Sequence, residues 1–155
     1  MRKVMHFSSP RDQYTCDAAV VWCYDNRFEV VFRKLLKRIG VVYADPIRIA
    51  GGAKCLAAPK HDSEREFVVE QIRISMRLHN TRTVVLMLHS DCGAYGGLSA
   101  FNNDPANEAE NHAADLKRAA TLLQSAIPGL AVKAFYVDFE GAWEIEIAGS
   151  VEIAV

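Results

Sequence analysis

Two short runs of apolar residues, Ala18-Ala19-Val20-Val21-Trp22 and Thr83-Val84-Val85-Leu86-Met87-Leu88, most constrain what this chain can fold into. A strand with one wet face alternates apolar and polar residues, whereas a run that is apolar at successive positions has both faces dry. Both runs are too short for helices, and helical apolar spacing follows each of them. Strands buried on two faces and separated by helices point to a parallel sheet with helices packed on both sides.

The rest of the chain fits that frame. Phe28, Val31, Phe32, Leu35, Leu36 and Ile39 recur at helical spacing, with Arg33, Lys34, Lys37 and Arg38 opposite, and Gly40 is placed to close the helix. A second strand is expected around Val41–Tyr43 or Pro46–Ile49, ending in Ala50-Gly51-Gly52. Ser63-Glu64-Arg65-Glu66 has the form of a capping box opening a helix to about His79. Asp104-Pro105 reads as an N-cap and first helical residue. The apolar stripe Ala109, Ala113, Leu116, Ala120, Leu123 and Ile127 follows, stopped by Pro128-Gly129. Ala131–Val137 is the fourth strand and Trp143–Ile147 a candidate fifth at the edge. The expected fold is α/β: a doubly wound, mainly parallel four-stranded sheet with helices on both faces, in a single domain over residues 1–155.

Composition narrows the function classes. Eighteen Lys and Arg against nineteen Asp and Glu leave a formal net charge of −1, so overall charge points to neither nucleic acid nor a membrane surface as partner. No apolar run approaches the ~18–20 residues of a membrane span, and Met1–Gln13 has no secretory apolar core. Four cysteines in 155 residues are too few for a disulfide scaffold. The expectation is a cytoplasmic protein whose cysteines are reduced thiols or metal ligands.

In doubly wound sheets chemistry gathers beyond the C-terminal strand ends, where strand order reverses. The first run leads into Cys23-Tyr24-Asp25-Asn26-Arg27 and the third strand into His89-Ser90-Asp91-Cys92-Gly93. If these strands are neighbours, Cys23, His89 and Cys92 converge, and two thiolates with an imidazole suit Zn²⁺ with a fourth position left for another ligand. Taken singly, each residue reads more readily as a core thiol or a hydrogen-bonded histidine than as a ligand. Their joint position just past two strands favours ligands. Asp25 can reach the same metal as fourth ligand, closing the site, or pair with Arg27 and leave that position to water.

Cys-x-Asp-x-Arg after a buried strand, Arg48-Ile49-Ala50-Gly51-Gly52, and His-x-x-Cys-Gly together resemble the beta-class carbonic anhydrases. Phe135-Tyr136-Val137-Asp138-Phe139-Glu140-Gly141 is similar to that family's last core strand and following turn, so the resemblance spans nearly the whole chain. It implies Cys23, His89 and Cys92 as zinc ligands and Asp25 and Arg27 as a catalytic dyad. It also implies reversible hydration of carbon dioxide to bicarbonate by zinc-bound hydroxide, in a homodimer or higher homo-oligomer. Two alternatives keep the metal: hydrolysis of carbon disulfide or carbonyl sulfide, and a non-catalytic zinc-stabilised domain. The sequence departs from the family in three places. Only about 15 residues precede the first strand where members usually carry a longer helical arm. Ile49 stands where the family usually has asparagine, and no residue matches the glutamine that binds substrate in many members.

Other chemically interesting residues are expected to be structural or solvated. Cys16 and Cys55 lack spaced partners, and His6, His61, His79 and His112 sit in polar or helical contexts. Tyr95, Leu98 and Phe101 are read as packing, and no phosphate-binding glycine motif accompanies Gly51-Gly52.

Overall fold

A computed structural model describes residues 1–148. Residues 149–155, the end of the expected 1–155 domain, lie outside the described residues. Five strands form one sheet in the order β2-β1-β3-β4-β5: β1 Ala18–Trp22, β2 Ala44–Arg48, β3 Thr83–His89, β4 Ala131–Val137 and β5 Ala142–Ile145. The first four are parallel, and β5 joins β4 antiparallel. The candidate fifth strand therefore exists, beginning one residue earlier than expected and ending two earlier.

Every residue of β1 is buried, as its unbroken apolar run requires. The pleat divides the run between two cores. Ala18, Val20 and Trp22 join Val85 and Met87 on the face covered by α1 (Glu29–Arg38) through Phe28, Phe32 and Leu36. Ala19 and Val21 join Val84, Leu86 and Leu88 on the opposite face, under α2 (Lys54–Ala57), α3 (Asp62–His79) and α4 (Pro105–Ala126). Fully burying a large aliphatic or aromatic side chain contributes about 1.5–3 kcal/mol, so a one-residue slip of β1 would exchange both sets at large cost. The chain runs from β1 to β2 on one face and back past β1 to β3 on the other. The order reverses between β1 and β3, so their C-terminal ends frame the expected crevice.

Local signals explain the helix ends, with one exception. Gly40 (φ +77°) follows α1, its N–H donates to Lys37 O, and the Val41 N–H donates to Leu36 O. That pair of bonds is a Schellman closure, whose left-handed residue favours glycine. Asp104 caps α4 by accepting from the Ala106 and Asn107 N–H groups, with Pro105 at the first helical position. The capping box at Ser63 does not form. α3 begins at Asp62, which places Ser63 inside the first turn, and the Glu64 carboxylate reaches back to the Lys60 N–H at 3.0 Å. The second strand is Ala44–Arg48 rather than Val41–Tyr43. Pro46 is tolerated because β2 is an edge strand.

Candidate metal centre

Cys23 is the first residue past β1, and His89 is the last residue of β3. Because β1 and β3 pair directly, the two arrive side by side, and the turn after β3 brings Cys92 back onto them. The two Sγ atoms and one imidazole nitrogen lie within 4.8 Å of one another, and all three residues are buried. The Ala50-Gly51-Gly52 turn closes over this point. A Cβ on Gly52, whose φ is +51°, would lie 2.7 Å from Met87 O and 2.9 Å from Cys23 N. Only glycine lets the turn approach both strand ends so closely.

His89 is oriented by its own backbone neighbourhood. Its Nδ1–H donates to Ser90 O at 2.8 Å, which leaves Nε2 as the acceptor nitrogen facing the thiols. That Nε2 is buried with no hydrogen-bond partner among the described residues. Trp22 and Phe28 pack against the ring at 5.4 and 4.7 Å. A hydrogen bond from the Cys92 thiol, helped by His89, draws the Cys23 thiol well below its ordinary range, while the same contact and burial push Cys92 up. Two sulfurs and a bare imidazole nitrogen thus already share one buried pocket. Such a donor set fits Zn²⁺, because an orphaned buried nitrogen is costly unless something ligates it.

Asp25 and Arg27 stand at the mouth. Arg27 Nε donates to Asp25 Oδ1 and Oδ2 at 3.1 and 3.0 Å, and Nη2 donates to Oδ2 at 2.6 Å. Asp25 also accepts the Arg27 backbone N–H, which caps the short 3-10 turn Asn26–Phe28. These bonds hold its carboxyl below the usual carboxylate range and raise the guanidinium. Asp25 Oδ2 remains 4.0 Å from His89 Nε2, beside the three donors but turned to the arginine.

The sequence reading missed Asp91. Its Oδ2 accepts from Arg27 Nη1 at 2.9 Å and its backbone O from Nη2 at 3.0 Å. Arg27 also lies over the Phe28 and Phe139 rings, 5.7 and 5.5 Å from their centroids. Asp91 is itself held in a left-handed conformation (φ +51°) by accepting the Leu98 N–H and by donating its own N–H to the Glu108 carboxylate. An acid between His89 and Cys92 was visible in the sequence, but its guanidinium partner was not.

A family model described as "Putative carbonic anhydrase" matches residues 13–149. The chain belongs to this family. Over 128 residues it is 28% identical to an uncharacterized protein of Rickettsia conorii, a match covering 81% of this chain and 69% of that protein. Its fold is that of the beta-carbonic anhydrases. It superposes with a TM-score of 0.60 on beta-carbonic anhydrase isoform I of Trichomonas vaginalis, covering 90% of this chain and 87% of that one at 15% identity. A tetrameric beta-carbonic anhydrase of Sordaria macrospora superposes at 0.51, with 86% and 82% covered and 16% identity.

Within this carbonic anhydrase fold, Ile49 lines a cleft of about 560 Å³ together with Ala50, Lys54, Phe67 and Ala94. None of the three metal candidates lines it. Arg48 is tied to Glu29 at 2.6 Å and lies over the Phe32 ring, so it braces α1 against β2. Two expectations for histidines are corrected. His112 is fully buried in α4, its Nδ1 donating to Glu108 O, and it packs against Tyr95, Phe101 and Tyr136. His79 is partly buried and bound to Asp45 rather than solvated. All four cysteines are free thiols.

Proposed function

We propose that this chain is a zinc-dependent carbonic anhydrase. It converts carbon dioxide and water to bicarbonate and a proton, with Cys23, His89 and Cys92 as ligands and Asp25 and Arg27 as the catalytic pair. The observation that carries this reading is the unpartnered, buried His89 Nε2 beside two thiols, with the Asp25 carboxylate 4.0 Å away and engaged by Arg27. Zn²⁺ held there supplies Lewis acidity that lowers the pKa of water from about 15.7 toward neutrality. Asp25 accepts the hydrogen of the attacking water and so aims its lone pair at the substrate carbon. Arg27 keeps that carboxylate ionised and off the fourth metal position, and Asp91 holds the arginine. Phe28 and Trp22 exclude bulk water from the imidazole.

A homodimer or larger homo-oligomer accompanies this reading. Residues 1–15 are exposed throughout, and Val4, Met5 and Phe7 present large apolar surface. An arm of that character is suited to lie on a second copy. Four free thiols suit a reducing compartment such as the cytoplasm, and no helix among the described residues is long and apolar enough to cross a membrane. Residues 1–155 are taken as one domain.

Rapid-mixing measurement of carbon dioxide hydration on zinc-loaded protein tests the activity. Hydration lost in Cys23→Ser supports the reading, and a wild-type rate equal to that variant's overturns it. Sulfide release from carbon disulfide or carbonyl sulfide without hydration would move the same centre to the hydrolase alternative. A monomeric mass by light scattering at micromolar concentration would contradict the oligomer.

A further inference from the structure

At the opposite end of β1 from Cys23 lies a second convergence of metal-binding side chains. Cys16 precedes β1, Asp45 is the second residue of β2, and His79 is the last residue of α3. The Cys16 Sγ, an Asp45 carboxylate oxygen and a His79 ring nitrogen lie within 4.8 Å of one another. We propose that Cys16, Asp45 and His79 form a second divalent-metal site, with Zn²⁺ as the ion its donors suit, remote from the carbonic anhydrase centre.

The chemistry of the donors selects the ion. A thiolate, a carboxylate and an imidazole are each ordinary zinc ligands, and their mixture suits neither calcium and magnesium nor a thiolate-only cluster. The positions are fixed by the backbone. The Cys16 N–H donates to His79 O at 3.0 Å, and the next residue, Asp17, donates to Tyr43 O and accepts the Val42 and Tyr43 N–H groups. The start of β1, the end of α3 and the loop entering β2 are therefore pinned together before any ion enters.

Without an ion, protons bridge the same donors. The Cys16 thiol donates to Asp45 Oδ1 at 3.2 Å, and His79 Nδ1 meets Oδ2 at 2.7 Å. The edges of a zinc tetrahedron built from bonds of about 2.0–2.3 Å run to about 3.3–3.7 Å. Each of these two contacts thus needs to lengthen by at most about an ångström. A supporting shell is present: Ser75 Oγ donates to Asp45 Oδ2 at 2.6 Å and shares a hydrogen bond with Thr81, while the Tyr14 ring stacks on His79 at 4.3 Å. Such contacts orient the ligands. Asp45 has His79 as its one ion-pair partner among the described residues. Asp45 and His79 are each about a fifth exposed, which gives an ion an entry path.

With one thiolate donor against two at the Cys23 centre, this site fills second. The ion clamps β1, β2 and α3 at the N-terminal edge of the sheet. Native mass spectrometry of the full chain titrated with Zn²⁺ tests the proposal. The expected count is two zinc ions per chain in the wild type, one in Cys16→Ser, one in Cys23→Ser and none in the double variant. Cys16→Ser is expected to leave carbon dioxide hydration unchanged, so failure of this site and failure of the proposed activity are distinguishable. His79→Gln serves as a second variant should Cys16→Ser not fold, and it too should bind one ion. Cobalt-loaded Cys23→Ser/Cys92→Ser, in which Cys16 is the one remaining thiol within a donor cluster among the described residues, should show a sulfur-to-cobalt absorption band that vanishes when His79→Gln is added. A wild-type count of one that survives in Cys16→Ser and His79→Gln, with no such band, overturns the proposal.

Discussion

Asp91 holds Arg27 from the side opposite Asp25: its Oδ2 meets Nη1 at 2.9 Å, across 64 residues of chain, while Asp25 takes the Nε and Nη2 edge. One guanidinium is thus clamped between two carboxylates, with two aromatic rings beside it. Its position is set by β3 as well as by β1. The orientation of Asp25 is accordingly governed from both strands.

Asp91→Asn should loosen this clamp without disturbing the turn, because asparagine tolerates the left-handed backbone at this position. Both charged groups are partly exposed, so the loss is at most about 1 kcal/mol, or about fivefold in rate. Hydration should fall by up to that factor with zinc content unchanged. An unaltered rate would show that Asp91 does not position the arginine.

Gly52→Ala should cost far more than a surface change of the same size. The added methyl meets two backbone atoms at 2.7 and 2.9 Å, one of them the Cys23 nitrogen. A left-handed non-glycine residue adds about 1–3 kcal/mol of strain. Thermal unfolding should drop by several degrees, and zinc affinity should fall because Cys23 is displaced. Wild-type stability and affinity in this variant would contradict the close-packed turn.

His112 should make stability fall as solutions become mildly acidic. Burial lowers its pKa to about 4 in the fold, below the ordinary value of 6.5. The unfolded chain therefore takes up the proton first. Stability contributed by neutral His112 is complete above about pH 6.5 and is lost progressively down to about pH 4, at up to about 1.4 kcal/mol per pH unit. Buried Glu108, whose pKa is raised, acts in the opposite sense, its contribution being lost as pH rises through its folded value. Denaturant unfolding across this window should therefore be steeper in pH for the wild type than for His112→Gln. Parallel curves would show that His112 is not the group responsible.

The fold was legible where one residue type decides a structure. An unbroken apolar run leaves β1 no wet face, Gly40 alone accommodates the turn after α1, and Asp104-Pro105 can cap and start a helix. Cys23, His89 and Cys92 were legible because each sits within a few residues of a strand whose neighbour could be inferred. Asp91, Glu108 and the Cys16–Asp45–His79 cluster were not, since their partners come from distant elements that meet only after folding. His112 and Asp115 were not legible because both are buried on α4, whose visible pattern is its apolar stripe; His112 Nδ1 donates to Glu108 O, and Asp115 accepts from the Tyr95 hydroxyl. The Ser63 capping box failed for a local reason: with α3 beginning at Asp62, two residues before the start that a Ser63 cap would give, Glu64 finds the Lys60 N–H instead.

The role proposed for Arg27 is to hold Asp25 away from the Cys23, His89 and Cys92 donors so that the pair can act on water. Carbon dioxide hydration measured with zinc content on the same samples, in wild type, Asp25→Asn and Arg27→Ala, tests it most directly. A Cys16→Ser background confines the metal to the Cys23, His89 and Cys92 donors. About one zinc per chain is expected in all three, with rapid hydration in the wild type and losses of about a hundredfold or more in both variants. Full activity in Asp25→Asn, or zinc lost along with activity in Arg27→Ala, would contradict it.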